Sequence, residues 1–113
     1  MVKKAYVPDR GQVVWVDLNP TKGHEQKNKR PAVVLSPRAY NKKTGLMVAV
    51  PVTSYGKGYP FEVELKGKKI KGVVLSDQLR TLDWKARKVT YIENIPIKKV
   101  TEVQARVVAL LAT

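Results

Sequence analysis

The sequence contains no cysteine and only one histidine, and these two shortages exclude several kinds of active site. Without cysteine, the 113 residues cannot form a disulfide bond, a thiolate nucleophile or a zinc site with sulfur ligands. The single histidine, His24, is followed directly by Glu25, which is not the spacing of a metal-binding helix. Calcium loops, paired aspartates, Walker loops and dinucleotide-binding fingerprints are also absent from the sequence. We therefore expect no metal and no cofactor.

Acidic residues are the next shortage. Nine Asp and Glu residues stand against 22 Lys and Arg residues, which gives a net charge of +13 and an isoelectric point near 10.1. This excess favours a polyanionic partner, nucleic acid first, with an anionic membrane or an acidic protein as alternatives. No long apolar segment or basic amphipathic helix supports a membrane partner. The positive charge is clustered in two groups: Lys22, Lys27, Lys29, Arg30 and Arg38, and Lys66, Lys68, Lys69 and Lys71.

The chain length and the N-terminus indicate one cytoplasmic domain. A chain of 113 residues can bury one modest core, and its apolar content of 43% is ordinary for a globular protein. The first residues, MVKKAYV, lack the apolar stretch of a secretion signal. We therefore expect a single domain over residues 1–113, located in the cytoplasm.

Short apolar segments separated by turns predict a small β barrel. Residues 61–65 alternate between apolar and charged side chains, which is typical of a half-exposed strand. Other segments have the length and β-branched content of strands: residues 12–17, 32–36, 46–52, 73–76 and 89–92. Residues 37–41 suggest one helical turn, 41–45 and 67–69 are turn-like, and 77–84 have no secure assignment. Several short strands at even spacing favour a mainly β fold with a small α component.

One helix is predicted near the end of the sequence. Pro96 suits the first turn of a helix that continues to about residue 112. Its apolar stripe consists of Ile97, Val100, Gln104, Val107, Val108 and Leu111, with Val103 and Leu110 beside it. Because the helix is apolar on more than one flank, it either packs only on its own sheet or also forms a subunit interface.

Two apolar segments would bring an arginine and a hydroxyl group to one rim of the barrel. The first is KRPAVVLS at 29–36, and the second is VAVPVTS at 48–54. If these strands pair, Arg30 and Thr53 lie near strand ends on the same side. A guanidinium group beside a hydroxyl can bind one phosphodiester group, because the planar guanidinium binds phosphate in two places. The alternative is that Arg30 is an exposed charge and Thr53 an ordinary strand residue.

A basic protein that lacks metal ligands can still cleave RNA, because RNA carries its own nucleophile, the 2′-hydroxyl. The reaction needs a group that takes the 2′ proton, a cation that stabilises the phosphorane and a donor to the 5′-oxygen leaving group. Arg30 suits the second role, and Thr53 can donate a hydrogen bond to a non-bridging oxygen. Glu25 and His24 are both candidates for the base, since an arginine with a pKa above about 12 is a poor one.

Aromatic side chains offer stacking surfaces for RNA bases. Tyr55 and Tyr59 bracket the loop segment YGKGY, which also contains Lys57. Bases of single-stranded RNA stack on such rings, although one or both rings could instead pack on the core. Trp15 lies within an apolar strand and is predicted to be in the core. For Trp84, in DWKAR, a core position and a surface or interface position are both open.

Four segments of the sequence contain motifs at a defined spacing. They are GQVVWVDLNPTKGHEQKNKRPAVVLSP at 11–37, VPVTS at 50–54, GYPFEVEL at 58–65 and GVVLSDQLRTLDWKAR at 72–87. Together they resemble the motifs of the MazF/PemK endoribonuclease toxins, and the similarity extends over nearly the whole chain. The residues that match the spacing of the first family motif are Pro20, Gly23, Glu25, Arg30 and Pro31.

The resemblance implies an SH3-like barrel of the PemK/CcdB type with a C-terminal helix. It also implies a homodimer and a cognate MazE-like antitoxin whose acidic, disordered tail binds across the RNA site. The family cleaves single-stranded RNA, mRNA above all, without the ribosome, and leaves a 2′,3′-cyclic phosphate and a 5′-hydroxyl.

The resemblance also implies roles for individual residues. The family's catalytic arginine and threonine match Arg30 and Thr53, and its loop glutamate matches Glu25. Asp77 and Gln78 match a segment that contacts RNA bases in relatives. The further residues predicted to contact RNA are Lys22, His24, Lys29, Ser54, Tyr55, Lys57 and Tyr59.

Two other functions are open on the same barrel. A gyrase-poisoning toxin like CcdB needs no RNA-cleaving residues and binds its target through its C-terminal helix. An SH3-like or OB-like RNA-binding module needs no catalytic residues at all. Retention of Arg30 and Thr53 within their motifs favours the endoribonuclease. The similarity of GYPFEVEL to relatives that cut at ACA favours an ACA-containing cleavage site.

Overall fold

The computed structural model describes residues 5–18 and 29–112. The strands within these residues are β1 (Gln12–Asp17), β2 (Lys29–Val34), β3 (Leu46–Thr53), β4 (Glu62–Lys66), β5 (Lys71–Leu75), β6 (Arg80–Asp83) and β7 (Thr90–Asn94). The helices are α1 (Arg38–Thr44), between β2 and β3, and α2 (Ile97–Ala112), after β7. Residues 19–28, between β1 and β2, lie outside the described residues.

The strands form one antiparallel sheet that curls into a half-barrel. The strand order is β4-β5-β3-β2-β1-β7, and β6 pairs with β3 beside this path. β3 is the longest strand, with eight residues, and it pairs with three others. Its first half pairs with β6, and its last two residues pair with β5. The predicted mainly β, SH3-like barrel with a C-terminal helix is confirmed.

The core has two parts, because both faces of the sheet are covered. Consecutive side chains of a strand point to opposite faces, so Val13 packs in one apolar cluster and Val14 in the other. The first cluster also contains Val100 and Val103 of α2, which covers that face. The second contains Met47 of β3, whose side chain is completely buried. This alternation explains why the four central residues of β1 are all apolar.

A buried polar network anchors α1 to the barrel. The side-chain amide of Asn41, which is completely buried, donates to the carbonyl oxygens of Pro8 and Ser36 at 2.8 and 3.1 Å. Its oxygen accepts a hydrogen bond of 2.6 Å from the Ser36 hydroxyl. The indole N–H of Trp84 donates to the Asn41 carbonyl at 2.9 Å. Trp84 is 6% exposed, so the core position is the correct one of the two that were open.

Three segments differ most from the sequence predictions. α1 includes residues predicted as a turn at 41–45, and only Gly45, with φ of 76°, has the predicted left-handed conformation that ends the helix. β2 begins at residue 29, three residues before the predicted strand. The segment 77–84 contains β6, which exists because it pairs with β3 and not because its own sequence favours a strand.

Only the middle of the predicted apolar stripe of α2 is buried. Val100 and Val103 pack in the core, whereas Ile97 and Leu111 are 83% and 74% exposed. These apolar side chains near the two ends of the helix are therefore not covered by their own barrel. Among the described residues, no helix has the length and apolar character that crossing a lipid bilayer requires.

Candidate active site

An open groove of about 820 Å³ lies where the end of β3 meets the beginning of β2. These two strand ends supply one wall. Residues of the β4–β5 turn and of the segment around β6 supply the others. The sequence predicted that Arg30 and Thr53 lie together at one rim of the barrel. Both side chains line this groove.

Strand register brings Arg30 and Thr53 together. β2 and β3 pair in antiparallel fashion with Ala32 opposite Pro51. Continued by two residues, this register places Arg30 opposite Thr53. Arg30 is exposed and Thr53 is half-buried. The strand pairing predicted from the sequence is confirmed, and the guanidinium and the hydroxyl lie at one rim.

A glycine in β5 sets the position of Thr53. β5 pairs with the end of β3, with Val73 opposite Thr53. At the preceding residue, Gly72, an added β-carbon would collide with the carbonyl oxygen of Thr53 and lie 3.3 Å from the α-carbon of Ser54. Gly72 also has φ of 154°, which other residues rarely adopt. Only glycine allows β5 to lie this close to the functional end of β3.

The groove is strongly basic. The cationic side chains that line it are Lys29, Arg30, Lys69, Lys71 and Arg80. Its lining contains no carboxylate among the residues that the structure describes. Arg80 is held in place, because its guanidinium donates to the carbonyl oxygen of Leu18 at 3.1 Å. A groove with many cations and no anion suits a polyanionic backbone.

Two aromatic rings border the groove, and one of them was predicted to be buried. Trp15 is 38% exposed and lines the groove, so its predicted core position is wrong. Its neighbours Val14 and Val16 face the second core cluster, which turns Trp15 to the other face, where the core has ended and the groove begins. Tyr55 is 87% exposed and also lines the groove, whereas Tyr59 is exposed away from it.

The loop that contains Tyr55 is held by a carboxylate. Glu62, the first residue of β4, accepts hydrogen bonds from the backbone N–H groups of Lys57, at 2.9 and 3.1 Å, and Gly58, at 3.0 Å. Hydrogen bonds to an ionised acceptor are stronger than neutral ones. The loop is therefore ordered beside the groove, and Tyr55 is presented to solvent at its edge.

The groove contains several of the predicted site residues and leaves others outside. Those in its lining are Lys29, Arg30, Thr53, Ser54, Tyr55 and Gln78. Lys57, Tyr59 and Asp77 are exposed but do not line it, and their contacts with RNA stay predictions. Lys22, His24 and Glu25 lie outside the described residues.

Four aromatic or cationic residues of the groove lining were not predicted as site residues from the sequence: Trp15, Lys69, Lys71 and Arg80. The basic cluster at 66–71 is visible in the sequence, but nothing local indicates that its turn lies beside β2. In residues 5–18 and 29–112, no three histidine, cysteine, aspartate or glutamate side chains are grouped closely enough to hold a metal ion.

Comparison with known proteins identifies the family. A model of the PemK-like, MazF-like toxins of type II toxin–antitoxin systems matches residues 9–111. The chain belongs to the PemK/MazF toxin family. The match includes both strands that form the rim with Arg30 and Thr53, and also α2.

Individual relatives agree with this assignment. The chain is 47% identical over 106 residues to the endoribonuclease toxin MazF of Escherichia coli K12, covering 94% of this chain and 96% of that protein. MazF from Deinococcus radiodurans is 49% identical, with a TM-score of 0.86 over 96% of this chain and 100% of its own. The MazE–MazF complex from the same organism is 44% identical, with a TM-score of 0.86 over 96% and 99% of the chains. The PemK/MazF fold thus extends over nearly the whole chain.

Proposed function

We propose that the protein is an endoribonuclease toxin that cleaves single-stranded RNA, mRNA above all, at short sequence motifs in the cytoplasm. The observation that supports this most is the groove, where Arg30 and Thr53 lie among cations. Membership of the PemK/MazF family supports the same activity, since its relative in E. coli is an endoribonuclease toxin.

The nucleophile in this mechanism is the 2′-hydroxyl of the substrate. It loses its proton to a base and attacks the adjacent phosphorus, the bond from phosphorus to the 5′-oxygen breaks, and that oxygen takes up a proton. The products end in a 2′,3′-cyclic phosphate and a 5′-hydroxyl. Arg30 stabilises the negative charge that develops on the non-bridging oxygens, and Thr53 donates a hydrogen bond to one of them. One such donor to a developing oxyanion is worth about 3–4 kcal/mol.

The proton of the 2′-hydroxyl requires a base. The described part of the groove lining contains no carboxylate and no histidine. We propose that the base comes from the segment that precedes β2, where Glu25 and His24 are the candidates. Carboxylates and imidazoles both serve as general bases in enzymes.

The aromatic side chains at the border of the groove support single-stranded RNA as the substrate. Trp15 and Tyr55 offer ring faces at its border, and the bases of an unpaired strand can stack on them. The cations then contact the backbone on the way to Arg30. Such contacts position the strand without reading its sequence, so Gln78 and neighbouring polar groups are the candidates for base recognition, at an ACA-containing site.

A MazE-like antitoxin is the expected partner of the same groove. MazF from D. radiodurans forms a complex with MazE. We propose that an acidic, disordered tail of the cognate antitoxin lies along this groove, because its cations suit carboxylates as well as phosphates. Antitoxin and RNA then compete, and both bind more weakly as salt rises.

A homodimer is the expected assembly. Tyr40, Leu79 and Val108 are exposed apolar residues that line a second, shallow groove of about 730 Å³ next to α2. A second copy of the chain that covers this surface would bury the apolar flank of α2 and join two basic grooves into one longer RNA path.

Incubation of the purified protein with a long RNA tests the proposal. Cleavage is expected to persist in excess EDTA, and sequencing of the fragment ends is expected to give a cyclic phosphate upstream and a free 5′-hydroxyl downstream. A downstream 5′-phosphate would mean that water attacked instead. Inhibition of DNA gyrase without RNA cleavage would favour a CcdB-like toxin, and binding without cleavage would favour an RNA-binding module.

A further inference from the structure

The turn between β4 and β5 brings two lysines to the groove. This lysine turn (residues 67–70) is closed by a hydrogen bond from the amide of Gly67 to the carbonyl oxygen of Ile70, at 2.9 Å. Lys69 lies in the turn, and Lys71 is the first residue of β5. Both line the groove that contains Arg30 and Thr53, and the mechanism described above uses neither.

A carboxylate from another strand holds the lysine turn. The side chain of Glu93, on β7, accepts three hydrogen bonds from backbone N–H groups of the turn. The donors are Lys68, Lys69 and Ile70, at 3.0, 3.0 and 2.8 Å. A β-carbon at Gly67 would lie 2.7 Å from the Ile70 carbonyl oxygen and would collide with the Glu93 carboxylate. The turn is therefore shaped around this carboxylate.

Glu93 is ionised at neutral pH. Burial raises the pKa of its carboxyl, but the three amide hydrogen bonds and the charge of Lys69 lower it more, so the pKa lies below the ordinary value of 4.5. The carboxylate bonds to the backbone of the turn, not to its ammonium groups.

The ammonium groups of the turn are available for a ligand. The ion pairs within the described part of the chain are Arg38 with Asp9, Lys66 with Glu64 and Lys99 with Glu102. None of them involves Lys69 or Lys71, and both lysines are exposed. Ammonium groups at the wall of a groove whose described lining contains no carboxylate suit the phosphates of a nucleic acid.

We propose that Lys69 and Lys71 form a second phosphate subsite, which binds a backbone phosphate of the single-stranded RNA other than the one that is cleaved. Glu93 is the positioning residue of this subsite, because it fixes the backbone that presents Lys69. The inference rests on the proposed endoribonuclease function, since it concerns the same groove. A second phosphate contact fixes the strand along the groove and so helps to place the scissile phosphate at Arg30.

Glu93 could also act only as a structural contact. β7 and β4 stand at opposite ends of the strand order, so the contact between Glu93 and the lysine turn joins the two ends of the curled sheet. Glu93 affects RNA affinity in opposite directions through its negative charge and through its contact with the lysine turn. Loss of a negative charge near a basic groove strengthens RNA binding, whereas release of the lysine turn weakens it.

The first experiment removes the two cations. Lys69→Gln/Lys71→Gln is compared with Lys43→Gln/Lys98→Gln, which makes the same change of charge at exposed lysines outside the groove lining. For a non-cleavable RNA with deoxyribose at the cleaved position, two lost contacts reduce the slope of log K against log salt by about 1.4. Between 50 and 200 mM salt, wild type then loses about sevenfold more affinity than the groove variant.

The second experiment locates the phosphate. Each non-scissile phosphate of the RNA is replaced in turn by a neutral methylphosphonate. With wild type, the replacement at one or two positions weakens binding. With Lys69→Gln/Lys71→Gln, the same positions lose their effect, while the control variant keeps it.

The third experiment tests the positioning role of Glu93. Glu93→Gln is compared with Glu64→Gln, because Glu64 is an exposed carboxylate of the β4–β5 hairpin whose ion pair within the described residues is with Lys66. For Glu93→Gln we expect KM to rise at least threefold, with kcat nearly unchanged. The rise in KM should not exceed about 25-fold, which is the affinity that two lost phosphate contacts cost at 0.1 M salt. For Glu64→Gln we expect an unchanged or lower KM. The effect of Glu93→Gln disappears in the Lys69→Gln/Lys71→Gln background.

The outcomes separate the two proposals. If Lys69→Gln/Lys71→Gln has the same salt slope and the same methylphosphonate pattern as the control variant, the proposed phosphate subsite is wrong. Cleavage of RNA by wild type would still support the endoribonuclease function. An effect of Glu93→Gln that persists without Lys69 and Lys71 would overturn the positioning role. A wild-type protein that neither binds nor cleaves RNA would overturn the endoribonuclease function and the subsite with it.

Discussion

Replacement of Gly72 by alanine tests whether the close approach of β5 to β3 positions the proposed catalytic hydroxyl. The added methyl group would meet backbone and not a flexible side chain. It would collide with the carbonyl oxygen of Thr53, and it would lie 3.0 Å from the carbonyl carbon of Thr53 and 3.3 Å from the α-carbon of Ser54. Ordinary contacts of a β-carbon begin at 3.4 Å, so the two strands have to separate at this point.

The expected loss has two components. Overpacking of a tight site costs about 1–3 kcal/mol of unfolding free energy, which lowers Tm by about 4–12 °C for a domain of this size. Displacement of a catalytic group by about 1 Å can cost about 100-fold in rate. We therefore expect Gly72→Ala to fold at 25 °C, with a lower Tm and a kcat about 100-fold below that of wild type.

The assay measures kcat on a single-stranded RNA containing the mapped cleavage site, together with Tm by circular dichroism. Gly45→Ala is the matched control, because Gly45 has φ of 76° and no atom within 4 Å of its added β-carbon. Its left-handed backbone costs about 1–2 kcal/mol for alanine, so Tm falls while kcat stays at the wild-type value.

Two results would refute this reasoning. A folded Gly72→Ala protein with wild-type kcat would mean that the position of Thr53 does not limit the reaction. An equal loss of kcat in Gly45→Ala would mean that activity follows global stability and not the geometry of the groove.

Four further predictions concern the groove and the core. Arg30→Ala is expected to lower kcat/KM by about 10²–10³-fold and to leave Tm unchanged. Thr53→Ala is expected to act similarly, whereas Thr53→Ser should have a smaller effect because it keeps the hydroxyl. Near-normal cleavage by Arg30→Ala would show that Arg30 is not catalytic. Deoxyribose on the 5′ side of the scissile phosphate is expected to stop cleavage and barely to weaken binding, and cleavage of this substrate would exclude the 2′-hydroxyl as nucleophile. Asn41→Ala is expected to lower the unfolding free energy by about 2–3 kcal/mol in denaturant titrations, because it leaves buried carbonyls without donors, while kcat at 25 °C is unchanged. Because the pKa of Glu93 is lowered in the folded state, the stability difference between wild type and Glu93→Gln is constant above the ordinary pKa of 4.5 and shrinks as pH falls through the folded-state pKa. A difference that grows in acid would contradict the hydrogen bonds between the Glu93 carboxylate and the lysine turn.

Trp15 illustrates why burial was harder to predict than strand position. The segment QVVWVD has the composition of a buried strand, and β1 is indeed a strand with that extent. Composition does not tell where along the strand the covering layer ends. The first core cluster does not include Trp15, and the groove begins there. Trp15 is therefore 38% exposed although it is an apolar residue in a strand with neighbours on both sides.

The candidate site was predicted only in part. Arg30 and Thr53 lie in two apolar segments whose length and composition predict strands, and the family motifs contain both; that the strands pair is shown by the structure. Lys69, Lys71 and Glu93 come from a turn and a strand far apart in the chain. Their contacts depend on the curl of the sheet, which no local pattern encodes.

By itself, the sequence determined the polyanionic class of ligand, the mainly β composition, the C-terminal helix and the pair of residues proposed for catalysis. These follow from charge balance, from periods of two and 3.6 residues, and from motifs read along the chain. Only the tertiary structure decided that Gly72 sets the position of Thr53, that Trp15 faces the groove, and that Glu93 holds a lysine turn beside Arg30. The reason is physical: each of these depends on the distance between strands that are remote in sequence, and that distance is set when the whole sheet curls and packs.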